Sequence, residues 1–256
     1  MLWYKSWLEL RFRVLCTLFI LFCLAAFITF SASGFASNES RVQRLVSAIG
    51  GGVNHSGISP VETAAIASAM FLVAAVIAPV MSLMLAGGGM NTQTNYGMTP
   101  GFHGSMLYTL SLPVTRRQLL WTRAGLGAAC YGVSLILCVA LIGVAYPLCG
   151  VPVSPANLVR FLPGLFAGSA FFYGLAVLLS AVLDEFWGGM AGFLIIGFLA
   201  GYSGGDKARI GEVTSLMRGL SILRGQEWPL LAACLWTVAG LALIYAASLW
   251  VERREV

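Results

Sequence analysis

Very few residues in this 256-residue chain have types and spacings that could do chemistry. The two histidines, His55 and His103, fall in different polar connections, and no His-Glu-x-x-His occurs. None of the six cysteines (Cys16, Cys23, Cys130, Cys138, Cys149, Cys234) forms a Cys-x-x-Cys pair. Five lie within apolar runs and Cys149 at the edge of one, so small buried hydrophobes is the expected role. Metal binding and Cys/His nucleophile chemistry therefore lack their side chains. The runs Gly50-Gly51-Gly52 and Gly87-Gly88-Gly89 are not followed by the lysine of a phosphate loop, so nothing cradles a nucleotide. Carboxylates are equally sparse. Glu62 stands at the edge of an apolar stretch, as does Arg160, and Asp184-Glu185 occupy a short turn between two such stretches. Two adjacent carboxylates can bind a cation, but a solvated turn is expected here. Ion-coupled transport calls for at least one charge buried within the apolar segments, and they hold almost none.

The informative stretch is Gly104-Ser-Met-Leu-Tyr-Thr-Leu-Ser-Leu-Pro-Val-Thr-Arg-Arg-Gln-Leu-Leu-Trp-Thr-Arg-Ala124. It divides into two helical pieces at Pro113, which has no N–H to donate and disfavours helix at Leu112. Thr115 and Gln118 then have the spacing of a capping box, which starts a second helix. Arg116, Arg117 and Arg123 keep their charges in water while Leu119, Leu120 and Trp121 lead into an apolar run. Two readings stand side by side at this point. The elbow is a cationic, partly apolar knuckle offered to another protein, or it is a membrane-entry helix with snorkelling arginines.

The elements around this elbow must be membrane helices. Hydrophobic residues make up 59% of the chain and charged residues 10%, against about a quarter charged in soluble domains. Mean hydropathy is +0.86. So little polar surface leaves lipid as the solvent, and the net charge of +5 suits anionic headgroups. The fifteen Lys and Arg are scattered between apolar blocks, which argues against nucleic acid as a partner. A crossing takes about 20 apolar residues. Six stretches qualify: residues 14–33, 63–86, 124–148, 161–183, 187–202 and 228–251. The first is too long for the core of a secretory signal and reads as an uncleaved span.

An even count puts both termini on one side. With termini inside, eight Lys and Arg face the cytoplasm and seven face outward. The positive-inside rule weights charges beside span ends, and Arg11, Arg13, Arg123, Arg253 and Arg254 favour cytoplasmic termini. Residues 1–13 read as a short amphipathic interfacial helix. Trp3, Trp7, Leu10 and Val14 share one face, and Lys5, Glu9 and Arg13 another. Residues 34–62 and 203–227 are polar outward connections. The second carries Ile210, Val213, Leu216 and Leu220, enough for a short surface or re-entrant helix. Residues 87–123 form the long inward connection. Small residues drive helix contacts in lipid, and Gly164-x-x-x-Gly168, Gly188-x-x-x-Gly192 and Gly197-x-x-x-Gly201 offer them, for packing within one bundle or for a dimer seam.

The elbow resembles the cytoplasmic loop of type-2 ABC-transporter permeases, the membrane subunits of ATP-binding-cassette systems. Gly104-Ser105-Met106 takes the place of that family's Gly-Thr-Leu, and Ser111-Leu112-Pro113-Val114-Thr115-Arg116 that of its Leu-Ser-x-Pro-Val-Ser-Arg, with the nine-residue step from Gly104 to Pro113 intact. The N-terminal Trp7-x-Glu9-Leu10-Arg11 and the closing Val251-Glu-Arg-Arg254 are also similar. The acids that the family often carries before the glycine are replaced by Pro100-Gly101-Phe102-His103, so charge pairing by those acids is not carried over.

The resemblance implies an all-α integral membrane protein. Its six-helix transmembrane bundle would carry an N-terminal amphipathic interfacial helix and a cytoplasmic coupling helix between spans two and three. It implies a multi-pass chain of the cytoplasmic membrane that forms a translocation path for export and is not itself an enzyme. Coupling to a separate ATPase subunit would fall to Leu112, Pro113, Val114, Arg116 and Arg117, with Trp3, Lys5 and Trp7 as secondary contacts. The chain would hold no cofactor, with ATP and magnesium on the ATPase. Its partners would be that ATPase, membrane lipid and a second permease chain, identical or related. Two rivals remain: a membrane anchor or scaffold for an ATPase, and a membrane-embedded enzyme, for which no catalytic pair is visible. Phe171, Phe172, Tyr173, Phe186, Trp187 and Phe193 suit an amphipathic cargo, but they suit helix packing better.

Overall fold

The computed structural model describes residues 2–37, 59–86, 115–182, 190–192, 194–195, 212–223 and 227–253. Among these there are helices and no strands. The first helix, α1 (Leu2–Ser37), runs through the whole amphipathic and apolar N-terminal region. The expected interfacial helix over residues 1–13 and the first span are thus continuous as one helix, whose span-forming part is Arg13–Ala32. No Gly or Pro stands between Leu2 and Ser33, so nothing breaks a helix once nucleated. At 36 residues α1 is about 54 Å long, well beyond the ~30 Å of hydrocarbon.

The second long helix, α2 (Pro60–Ala86), opens on Ser59, whose Oγ accepts from the Glu62 N–H at 3.2 Å, with Pro60 in the first turn. It is α-helical except over Val73–Ile77, which winds as a π-helix just before Pro79. The third, α3 (Arg116–Leu148), starts where the capping-box spacing puts it, Thr115 Oγ1 accepting from the Gln118 N–H at 3.3 Å. Residues 116–123, expected in the connection, thus already belong to α3, because the cap and a run without Gly or Pro extend the helix beyond its apolar core. Its far end closes in a Schellman motif. Gly150 adopts φ +80°, Val151 N–H returns to Tyr146 O and Gly150 N–H to Pro147 O, each at 3.0 Å.

A five-residue helix, α4 (Pro155–Val159), leads into α5 (Leu162–Val182). Two short helices follow, α6 (Val213–Met217) and α7 (Leu220–Leu223), then the last span, α8 (Leu230–Arg253). The short pair is buried rather than at the surface: Val213, Leu216, Met217, Leu220 and Leu223 are all inside. Gly164 and Gly168 make room for it, since a Cβ on Gly164 would lie 2.6 Å from Leu216 O and one on Gly168 would overlap Met217. The glycine spacing thus serves packing within the bundle.

Among the described residues, five helical segments are long and apolar enough to cross a membrane: Arg13–Ala32, Pro60–Ala86, Arg117–Leu148, Pro155–Val182 and Leu230–Arg253. They cover five of the six expected spans. Of the other, residues 187–202, only 190–192 and 194–195 are described, and these are helical. The second and fourth segments are central, 61% and 56% buried, against 22%, 33% and 17% for the outer three. Outer faces are apolar: Leu15, Leu18, Phe19 and Phe22 on α1, and Leu231, Leu235, Val238, Tyr245 and Leu249 on α8. Water would not tolerate so much apolar surface, but lipid tails match it.

Candidate functional site

Basic side chains collect at one end of the bundle. Arg13 Nη1 of α1 donates to Met84 O near the end of α2 at 3.1 Å. Arg117, in the first turn of α3, pairs with Glu252 of α8 at 3.1 Å, both side chains well exposed. Arg253 ends α8 and Arg11 is exposed on α1. Just inside this rim Leu119 and Leu120 are buried and anchor the start of α3, while Trp121 is exposed. A cationic rim over an apolar footing can receive an acidic, partly apolar protein surface or lipid headgroups.

The expected coupling residues divide by position. Arg117 is on this rim and Arg116 is the first residue of α3. Leu112, Pro113 and Val114 lie outside the described residues, as does the rest of the expected coupling helix. Trp3, Lys5 and Trp7 are in the first turns of α1. The helices α1 and α3 run parallel, with Ser31 opposite Tyr146. Carried down both helices, that register sets Trp3, Lys5 and Trp7 about level with Gln118, Leu120 and Thr122. The N-terminus and the elbow's second arm therefore share one end of the molecule.

Three interior polar nodes join the helices; of their members the sequence draws notice only to Glu62, at a span edge, and Tyr173, among the aromatics. In the first, the fully buried Tyr146 hydroxyl lies 3.3 Å from Ser31 Oγ and 3.4 Å from Ser68 Oγ, joining α3 to α1 and α2. In the second, Tyr131 OH of α3 donates to Ala78 O of α2 at 3.0 Å, and Tyr173 OH of α5 donates to Ala124 O of α3 at 2.7 Å. Their rings stack at 5.5 Å and 20°. The third is Glu62, buried in the first turn of α2, whose Oε1 accepts from Ser154 N–H at 2.8 Å and Asn157 Nδ2 at 3.0 Å. It receives the partial positive charge of α2's N-terminus and clamps α4 to it.

Glu62→Ala is expected to cost about 2 to 3 kcal/mol by stranding those two donors. Glu62→Gln, which keeps the acceptor oxygen, is expected to lose less than half as much. Thermal unfolding of the detergent-purified variants checks both, and equal losses would refute the clamp.

The rest is packing. Phe172 and Tyr173 are buried, and Phe171 meets Trp236 of α8 edge-on at 4.9 Å. All six cysteines are free thiols, Cys138 buried and Cys23 and Cys234 on outer faces. Among the described residues, no group of three or more His, Cys, Asp or Glu is placed to hold a metal ion. Asp184 and Glu185 lie outside them.

Long apolar helices, lipid-matched outer faces and interior hydroxyls bonded to helix carbonyls define an α-helical multi-pass membrane protein. Comparison with known protein families, with curated proteins and with solved structures finds no match.

Proposed function

We propose that this chain is the membrane-spanning permease subunit of an ATP-binding-cassette exporter, docking a separate ATPase on its basic end. The observation that carries this reading is the elbow, Gly104-Ser105-Met106 through Ser111-Leu112-Pro113-Val114-Thr115-Arg116. The chain leaves α2 at Ala86 and re-enters at Thr115 at the same end of the bundle, beside Arg13 and the Arg117–Glu252 pair. α3 runs uninterrupted from that cap to Leu148, so a push on the elbow travels along one rigid helix. The missing phosphate loop fits a division of labour in which ATP and magnesium bind the partner.

Six spans with cytoplasmic termini belong to the same proposal. A Cβ on Gly192 would lie 2.5 Å from Leu83, toward the basic end of α2, whereas Val213 sits at Gly168 in the opposite half of α5. Residues 192 and 213 thus lie toward opposite ends of the bundle, which supports the proposed sixth crossing over residues 187–202. The charges at the described span ends, Arg11, Arg13, Arg117 and Arg253, support a cytoplasmic basic end by the positive-inside rule. A second permease chain completes the path.

The test is reconstitution with the ATPase subunit in lipid. A permease changes the partner's hydrolysis rate severalfold when joined to it. An anchor binds the partner and leaves that rate unaltered, which would defeat the proposal.

A further inference from the structure

The interior of α2 is irregular at one place. Pro79 offers no N–H to the carbonyls of Ala74 or Ala75, and its ring crowds the carbonyl four residues back. The helix widens instead: Val73–Ile77 is a π-turn, and Ala78 N–H reaches Val73 O, five residues back. Ser82 Oγ turns onto Pro79 O at 2.6 Å. Val73, Ala74, Ala75 and Ile77 are buried, and Val76 faces outward. The bond that reaches this segment from outside α2 comes from Tyr131 OH, on Ala78 O. Tyr131 lies on α3 sixteen residues above the Thr115 cap, about 24 Å along the axis. Gly127, one turn lower, brings α3 within 2.6 Å of Leu85 O at its missing Cβ, so the two helices are in backbone contact below the node.

We propose that residues 73–79 are a hinge in α2, latched by the Tyr131 hydroxyl, through which displacement of α3 bends α2. Three facts converge on it: a helix weakened by its own proline, a π-turn in place of the regular ladder just before it, and one hydroxyl from the adjacent helix holding the carbonyl of Ala78, the residue that precedes the proline. Tyr173 supports the latch by stacking on the Tyr131 ring, while its own hydroxyl is spent on α3. The hinge stands on this geometry alone; its use to open a translocation path rests on the permease reading.

Hydrogen–deuterium exchange of the full chain in lipid nanodiscs tests it without any transport assay. Tyr131→Phe keeps the ring and removes the latch. Exchange at residues 73–79 is expected to rise about five- to tenfold, as one lost hydrogen bond gives, with residues 60–72 unchanged. Tyr173→Phe is expected to leave residues 73–79 within about twofold of the wild type, because its bond joins α5 to α3 and does not touch α2. Pro79→Ala supplies the missing N–H and is expected to slow exchange there below the wild type. Unchanged exchange in Tyr131→Phe, an equal rise in Tyr173→Phe, or faster exchange in Pro79→Ala each overturns the hinge. If the hinge passes and reconstituted ATPase coupling fails, the permease reading alone is at fault.

Discussion

Replacing Pro113 by alanine, or reversing Arg116 and Arg117 together to glutamate, lowers coupled ATP hydrolysis and transport about tenfold or more, by this account, and leaves the bundle folded. The functional loss has a physical source in each case. By its sequence, proline at 113 is expected to end one helical piece two residues before Thr115, the cap of α3, and so to set the angle of the elbow. Alanine there allows helix to run on, and the knuckle changes direction. Reversing two arginines would put like charges against the acidic docking surface proposed for the partner, and each misplaced pair would cost several kcal/mol, with tenfold in affinity for every ~1.4. The fold is spared for reasons visible in the structure. Arg117 and Glu252 form an exposed pair, worth about 0 to 1 kcal/mol. Burial of Leu119 and Leu120, which the reversal does not touch, anchors the start of α3. Fluorescence-detected size exclusion with a thermal ramp gives the stability, and ATP hydrolysis by the reconstituted complex gives the coupling. A shift of the melting midpoint by ten degrees in the reversal would move these arginines from docking to structure.

The largest effect on stability is expected where α5 and α8 cross. A Cβ on Gly174 would fall onto Gly240 O, with Gly240 C at 2.8 Å and Cα at 2.9 Å. A Cβ on Gly240 would in turn meet Ala170 C at 2.6 Å and Phe171 N at 2.9 Å. These neighbours are backbone and cannot rotate away, so any side chain drives the helices apart. Each Gly→Ala change here costs about 1 to 3 kcal/mol of overpacking, and Gly174→Leu abolishes the monodisperse species, since nothing in lipid restores close packing once it is lost. Gly150→Ala is the control: its Cβ meets open space at φ +80°, so only the conformational cost of about 1 kcal/mol remains. Extraction yield and melting midpoint of the four variants check the order. Equal losses at Gly150 and Gly174 would mean that the crossing is not close-packed.

Much of this architecture was legible because apolar run length alone locates membrane helices. Residues 63–86, 161–183 and 228–251 match α2, α5 and α8 to within a few residues. Thr115 and Gln118 located the start of α3, since a cap is a purely local signal. Run length misled where a helix continues past its apolar part. Nothing in residues 1–13 ends α1, and Arg116 to Arg123 are helix as well. Glycine spacing found Gly164 and Gly168 but not Gly174 and Gly240, whose partners sit on different helices. The tyrosine nodes escaped for the same reason: Tyr131 looks like any aromatic in a span until the carbonyl it meets, Ala78, is brought to it. Its one advance sign was Pro79 inside an apolar run, which marks a weak point in that helix next to Ala78. The candidate site was legible only as a motif, because a docking surface is defined by a partner that the chain does not encode.

The most direct measurement is to tag the chain, extract it in mild detergent and identify what co-purifies. The account predicts a stoichiometric soluble protein carrying a phosphate-loop lysine, lost when Pro113 and Arg116 are both replaced. A chain that purifies alone, or keeps its partner with the elbow mutated, would contradict it.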